Sequence, residues 1–283
     1  MILLVTGSAG FLGRELCAQL GQQGHTVRAG WLASPPPGNV AESFHLDVTT
    51  PSEVARGVEG TGAIIHTAYR QRGEHARRVN VDGSANVARA AEAAGARLLH
   101  ISSDVVFDGH HPPYDESDKP SPLVGYSYGQ QKVEAEMVVA RECSRSTVIR
   151  TSLLYGSTAH VEDGSDSASV SSLERMVLQS TSSGTRHFTD EFRCPVHVAD
   201  LAAGIVSLLE IEPIPVVHLA GPQRLSRYEI ARELAPKLGL DSSSIQLGTA
   251  GELGLSRPSD LNMSSELAAN LFGYRPRLLN PPT

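Results

Sequence analysis

The sequence predicts a doubly wound α/β fold, a parallel sheet with helices on both faces. Three observations predict it. Short apolar, β-rich runs alternate with segments whose apolar residues recur at helical spacing through the first 150 residues. The first of these runs ends in a glycine-rich turn, TGSAGFLG at residues 6–13, that opens an amphipathic helix. With 283 residues, 40% of them hydrophobic, the chain is long enough for one large α/β core or such a core with a small appendage.

Residues 2–5, 26–31, 43–46, 63–66, 97–102 and 147–151 read as strands. Between them, residues 10–23, 53–58, 79–94 and 128–141 read as helices, with Leu12, Leu16 and Leu20 marking one face of the first. Strand, helix and strand in repetition require parallel pairing, and ligands of such sheets bind beyond the carboxyl ends of the strands. After Gly156 the pattern changes. The stretch GSTAHVEDGSDSASVSS at 156–172 is polar and Ser-rich and is expected to form a loop, serving as a lid. A helix is expected at 172–180, a turn into a helix at 195–209, a strand at 215–220, and a helix at 227–238 with Ser226 as its N-cap. The expected organisation is a core over residues 1–156 and a small, non-contiguous cap within 157–283, residues 193–220 returning to the core.

Composition narrows the function classes. A net charge of −7, without blocks of like charge, gives nucleic acid or an anionic membrane nothing to bind. Cys17, Cys143 and Cys194 stand far apart without CxxC spacing, and the histidines show no HxH or HxxxH pattern, so neither a disulfide framework nor a metal site is expected. No apolar run approaches the ~20 residues that span a bilayer, and the start lacks the basic and long apolar regions of a signal peptide. A soluble, cytoplasmic protein is the expectation.

The glycine turn carries the first chemistry. Gly7 allows a tight turn, Gly10 allows close approach of a pyrophosphate, and Gly13 allows helix and strand to pack closely. The helix N-terminus adds free N–H groups and partial positive charge. Gly7, Ala9, Gly10, Phe11, Leu12, Gly13 and Arg14 are thus candidate contacts of a dinucleotide, which makes 1–156 a dinucleotide-binding core. The second strand ends in VRAGWLASPPP with no carboxylate before Glu42, whereas sites selective for NAD hold an acid there on the ribose 2′-hydroxyl. NADP(H) is favoured over NAD(H), with Arg14 or Arg28 to reach a 2′-phosphate and Ser34 to donate to it.

The stretch YSYGQQK at 126–132 carries the second. Lysine occurs at only three positions and arginine at 21, so a lysine four places after Tyr128 stands out. Spacing of i, i+4 puts Tyr128 and Lys132 on one helix face. A phenol titrates near pH ~10, and a neighbouring ammonium is expected to lower that value and make proton transfer useful. A hydroxyl at the end of the fifth strand, in HISSDVVFDG, is expected to bind a substrate carbonyl oxygen; Ser102 and Ser103 both lie there.

These motifs resemble the extended short-chain dehydrogenase/reductase superfamily. Asp47 in HLDV matches its acidic residue beside the adenine, Ala68 in HTA its cofactor-lining segment, and Asn80 its asparagine on the following helix. Aligned on Val106-Phe107, Ser103 takes the catalytic place and Ser102 its neighbour's. The run ISSDVVFDGHHPPYDESDKPSPLVGYSYGQQK, with IRTSLLYG, FRCPVHVADLA, HLAGPQRLSRYEIA and SRPSDLNMSSELAANLFG, is similar to the dTDP-4-dehydrorhamnose reductase family, which includes the methionine adenosyltransferase regulatory β subunit. The resemblance implies reduction of the 4-keto group of a nucleotide-activated deoxysugar, with Tyr128 as proton donor, Lys132 as its tuner and ribose anchor, and Ser103 as carbonyl ligand. Asp104 joins Ser103 on the substrate side, and Arg193 and Arg257 are candidate grips for the sugar diphosphate. Tyr69, followed by Arg70-Gln71-Arg72, departs from the small residues of many members. Val105 in place of a glutamate disfavours dehydration. Epimerase chemistry and a non-catalytic NADP-binding regulator remain open, and a homodimer is expected by analogy. His197 and Asp200 read as a turn and a helix start.

Overall fold

The computed structural model describes residues 1–36, 40–157 and 170–280, without the side chains of residues 181 and 182. Most of the segment expected to form a lid, residues 158–169, lies outside the described residues. Seven strands form one parallel sheet: β1 (Ile2–Thr6), β2 (Thr26–Trp31), β3 (Glu42–His45), β4 (Ala63–His66), β5 (Arg97–Ser103), β6 (Ser146–Thr151) and, far along the chain, β11 (Val216–Leu219). Short pairs stand outside it: β7 (Leu154–Tyr155) with β10 (Val196–His197), β9 (Phe192–Arg193) with β12 (Leu225–Ser226), and β8 (His187–Phe188) with β13 (Leu247–Gly248). The sheet order is β11-β6-β5-β4-β1-β2-β3. The chain therefore winds outward in both directions from β1 and β4, and the crevice of a doubly wound sheet opens at their carboxyl ends.

Eight α-helices accompany the strands among the described residues: α1 (Phe11–Gln22), α2 (Pro51–Val58), α3 (Ser84–Ala94), α4 (Ser127–Glu142), α5 (Ser172–Ser183), α6 (Val198–Ser207), α7 (Arg227–Lys237) and α8 (Glu266–Phe272). Successive strand residues point to opposite faces. Leu3 and Val5 meet Leu12, Leu16 and Leu20 of α1 and Leu201 and Ile205 of α6. Leu4 and Ile64 meet Val54 of α2, Val87 and Ala88 of α3 and Val139 of α4 on the other face. Each fully buried leucine contributes roughly 1.5–3 kcal/mol. A third cluster joins Leu173 and Val177 of α5 to Ile230 and Leu234 of α7. Ser226 caps α7 reciprocally: its Oγ accepts from Glu229 N (3.1 Å) and its N donates to Glu229 Oε2 (2.7 Å).

Many element ends differ from expectation by one to three residues, and two differences have a visible cause. The third strand begins and ends one residue earlier than 43–46, because its polar, largely exposed residues take their register from β2, with Arg28 opposite Glu42. The helix expected over 79–94 opens with a π-helical turn, Arg78–Gly83, before α3. There Ser84 Oγ donates to the Asn80 carbonyl at 2.7 Å, a side-chain bond to the acceptor four residues back that competes with the regular ladder.

Candidate active site

A cavity of about 740 Å³ opens at the carboxyl ends of the strands. Its wall begins with Gly7, Ala9, Gly10, Phe11, Leu12 and Gly13. Gly7 has φ +67°, and a Cβ on it would meet the Ala68 backbone at 2.9 Å. A Cβ on Gly13 would stand 2.3 Å from the Gly7 carbonyl oxygen. Both glycines therefore let the loop between β1 and α1 fold onto its neighbours. Thr67 Oγ1 donates to Thr6 O at 2.7 Å, tying the end of β4 to that of β1. Trp31, Leu32 and Ala33 at the end of β2 and Asp47 after β3 complete this end. Asp47 is held by its own turn, its Oδ1 accepting from Thr49 N at 2.8 Å.

Ser103, Tyr128 and Lys132 line the same cavity, next to Tyr69 and Tyr126. Alternation at the end of β5 separates the two serines. Ser102 donates to the buried Glu136 of α4, whereas half-buried Ser103 donates to Asp104 Oδ1 at 2.9 Å. Asp104 Oδ2 accepts from Ser152 Oγ at 2.7 Å and lies 3.7 Å from Arg193 Nε. Lys132 is buried, its Nζ donating to the Ile101 carbonyl at 2.8 Å. The ammonium stands 6.0 Å from the Tyr128 ring centroid and 5.7 Å from that of Tyr69.

The electrostatics correct one expectation. Burial pushes the Tyr128 phenol well above its ordinary value near 10, and the neighbouring Tyr69, Asp104 and Tyr126 add to the rise. Lys132 does not offset this. Burial pulls the lysine down to about 8, with Glu136 opposing. Tyr128 thus keeps its proton at neutral pH, the state an acid needs to protonate an oxyanion.

Positive charge gathers at the far end of the cavity. Arg193 Nη2 pairs with Glu191 Oε1 at 2.9 Å, and Arg257 Nη1 and Arg227 Nε stand 3.5 and 3.9 Å from Glu191 Oε2. Arg175 lines the wall beside them. Over the whole lining, Arg70, Arg72, Lys132, Arg175, Arg193, Arg227 and Arg257 face Asp47, Asp104 and Glu191. Seven cations against three carboxylates make this an anion-attracting cavity in a chain whose net charge is −7. Among the described residues no group of three or more His, Cys, Asp or Glu side chains is placed to hold a metal ion.

The family profile described as the RmlD substrate binding domain matches residues 1–280. The chain belongs to that family. Among curated relatives, methionine adenosyltransferase 2 subunit beta of Pongo abelii is 30% identical over 96% of this chain and 83% of its own length. The dTDP-4-dehydrorhamnose reductase of Mycolicibacterium smegmatis is 29% identical over 86% of this chain and 71% of its own. The crystal structure of dTDP-4-dehydrorhamnose reductase from Bacillus anthracis in complex with NADP superposes with a TM-score of 0.76, 23% identity and coverage of 96% of this chain and 93% of that one. The shared fold is the Rossmann-like sheet described above.

Within this RmlD-family chain, several expected site residues stand behind the wall instead of in it. Asn80 accepts from Arg70 N at 2.8 Å and donates to Arg70 O at 2.7 Å and to Gln131, so it pins the segment after β4 without lining the cavity. Arg14 Nε donates to Ala9 O at 2.8 Å and braces the glycine loop from within the fold. Arg28 is not at the cofactor end at all. It pairs with Glu42 at 2.6 Å and donates to the Gly57 and Glu59 carbonyls, lining a separate depression with Ile2 and Thr26 at the amino ends of β1 and β2. Ser34 is exposed, one residue past the lining. His197 accepts from Ala199 N as the N-cap of α6, and Asp200 pairs with Arg277 at 2.7 Å, both structural as expected. Arg175, Glu191 and Arg227 were not anticipated. The signal for Arg175 was the capping box Ser171-x-x-Glu174, which starts α5 and sets the arginine in its first turn.

Proposed function

We propose that this chain is an NADP(H)-dependent reductase of the 4-keto group of a nucleotide-activated deoxysugar. One observation carries the reading: the glycine loop, the Ser103–Tyr128–Lys132 set and the arginine cluster line one continuous cavity. In this reading Gly7 to Gly13 and Asp47 hold the adenosine diphosphate part of the cofactor. The end of β2, which presents Trp31, Leu32 and Ala33 without a carboxylate, supports NADP(H). Residues 157–192 and 221–283 act mainly as the substrate cap. Arg193, Arg227 and Arg257 grip the diphosphate, and their partial pairing with Glu191 keeps them aligned while leaving net positive charge.

A nicotinamide cofactor held by the glycine loop would supply the hydride for the carbonyl carbon. Ser103 Oγ–H donates to the carbonyl oxygen and stabilises the charge developing there, and Tyr128 delivers its phenolic proton to the same oxygen. The Ser103 hydroxyl has one proton, given to Asp104 Oδ1 in this structure, so it turns from Asp104 to the carbonyl oxygen when substrate binds, while Asp104 keeps the bond from Ser152. Lys132 would hold the ribose hydroxyls of the bound cofactor. Similarity to methionine adenosyltransferase 2 subunit beta favours a second reading, an NADP-binding regulator without turnover. NADPH deuterated at the transferable position separates them. The reductase places one deuterium on the sugar ring carbon that bore the carbonyl, as read by mass spectrometry of the product; unlabelled, unconverted sugar with bound cofactor supports the regulator.

A further inference from the structure

The elements that carry the proposed catalytic groups meet at one buried carboxylate. Glu136 lies one turn beyond Lys132 on the same face of α4. It accepts from Ser102 Oγ, next to Ser103 on β5, and from Arg150 of β6, whose Nη2 stands 2.9 Å and Nε 3.2 Å from its two oxygens. Arg150 is fixed in turn by the Phe107 ring, 5.1 Å from its guanidinium carbon, and by His218 Nε2 at 3.4 Å. Glu136 and Arg150 are buried and neither lines the cavity, so their contacts serve the scaffold directly behind it.

We propose that Glu136 is a positioning residue of the reductase, locking α4 against β5 and keeping the Lys132 ammonium charged. The inference rests on the reductase reading of the cavity. Around Lys132 stand Tyr128 and Glu136 from α4, His66 from β4, Tyr69 from the loop after it, and His100 from β5, with Arg150 of β6 beyond the carboxylate. Burial holds His66, down to about 3, and His100 in their neutral forms, and Tyr128 stays protonated. Glu136 is the anion of this set. A buried lysine without an opposing charge gives up its proton readily. Replacing the carboxylate alone also leaves the Arg150 cation uncompensated nearby.

The sequence holds three lysines, at 119, 132 and 237, so selective carbon-13 labelling of lysine gives three resonances, and Lys132→Met assigns the one that matters. The titration of that resonance in the cofactor-free, full-length protein is compared among wild type, Glu136→Gln and Glu136→Asp. Glu136→Gln is expected to titrate lower by at least about one pH unit, the scale of a lost opposite charge. Glu136→Asp is expected to restore most of the difference. Where Glu136→Gln does not fold, Glu136→Gln/Arg150→Met removes both charges of the pair and is expected to shift Lys132 in the same direction. An unchanged Lys132 titration in a folded variant overturns the proposal, even where stability falls. Quenching of Trp31, the single tryptophan and a cavity residue, by NADPH is recorded alongside. A wild type without quenching counts against the reductase reading, whereas an unshifted lysine counts against Glu136 alone.

Discussion

Gly13 and Gly21 lie on the same helix, and replacing each with alanine separates the demands of the site from those of the helix. The Cβ introduced by Gly13→Ala stands 2.3 Å from the Gly7 carbonyl oxygen, 2.8 Å from Ser8 Cα and 3.0 Å from the Gly7 carbonyl carbon. All three contacts are backbone, so relief needs the loop to move by roughly 1 Å to reach ordinary van der Waals separation. Such overpacking costs about 1–3 kcal/mol of stability. In the proposed cofactor site the same displacement carries N–H groups at the start of α1 off the phosphates; losing one charge-assisted bond of ~1.5–3 kcal/mol weakens cofactor binding about ten- to a hundredfold. Gly21, exposed and with nothing within 4 Å of its Cβ position, is expected to accept alanine with unchanged affinity and a gain of up to about 1 kcal/mol from helix propensity. Urea denaturation and NADPH titration followed through Trp31 measure both quantities. Equal cofactor affinity in the two variants refutes the reasoning that the close packing of Gly13 shapes a phosphate-binding loop.

Other outcomes follow from the same geometry. Tyr128→Phe is expected to lower kcat by about 10²–10⁴ while cofactor binding, read by Trp31 quenching, stays within a few-fold of wild type. Arg257→Met is expected to raise KM for the nucleotide sugar about tenfold, the loss of a single charge-assisted contact, without changing NADPH affinity. Acid should destabilise the fold through His66, which accepts no proton when folded until about pH 3, whereas the unfolded chain takes one up below ~6.5. Stability is therefore full above ~6.5 and declines as pH falls towards 3. At pH 4.5, two units below the unfolded value, His66 alone removes about 3 kcal/mol. Urea midpoints between pH 7 and 4.5 check this, and His66→Asn should flatten the slope.

The legible parts of the fold were those decided locally. Buried strands such as β4 and β5 read as apolar runs, and the first helix shows its face through Leu12, Leu16 and Leu20. The exposed β3 slipped by a residue because cross-strand pairing, not its own pattern, sets its register. At the site, the glycine loop and the Tyr128–Lys132 pair were legible because each sits on a single short segment. The arginine cluster was only half visible: Arg175 and Arg227 reach Arg193 and Arg257 from separate helices, and no local spacing encodes that convergence. Arg28 was misassigned for the same reason, since Glu42 claims it across the β2–β3 pair. The Tyr128 proton was misjudged because the helix spacing reports one nearby cation but not the burial that outweighs it.

Incubating the full-length protein with NADPH and dTDP-4-dehydrorhamnose, while following NADPH absorbance and Trp31 fluorescence together, is the most direct measurement. Catalysis from this cavity predicts one NADPH oxidised per 4-ketosugar consumed in the wild type and loss of turnover, with quenching retained, in Tyr128→Phe. Quenching of Trp31 without NADPH consumption, for dTDP- and UDP-linked 4-ketosugars alike, contradicts it.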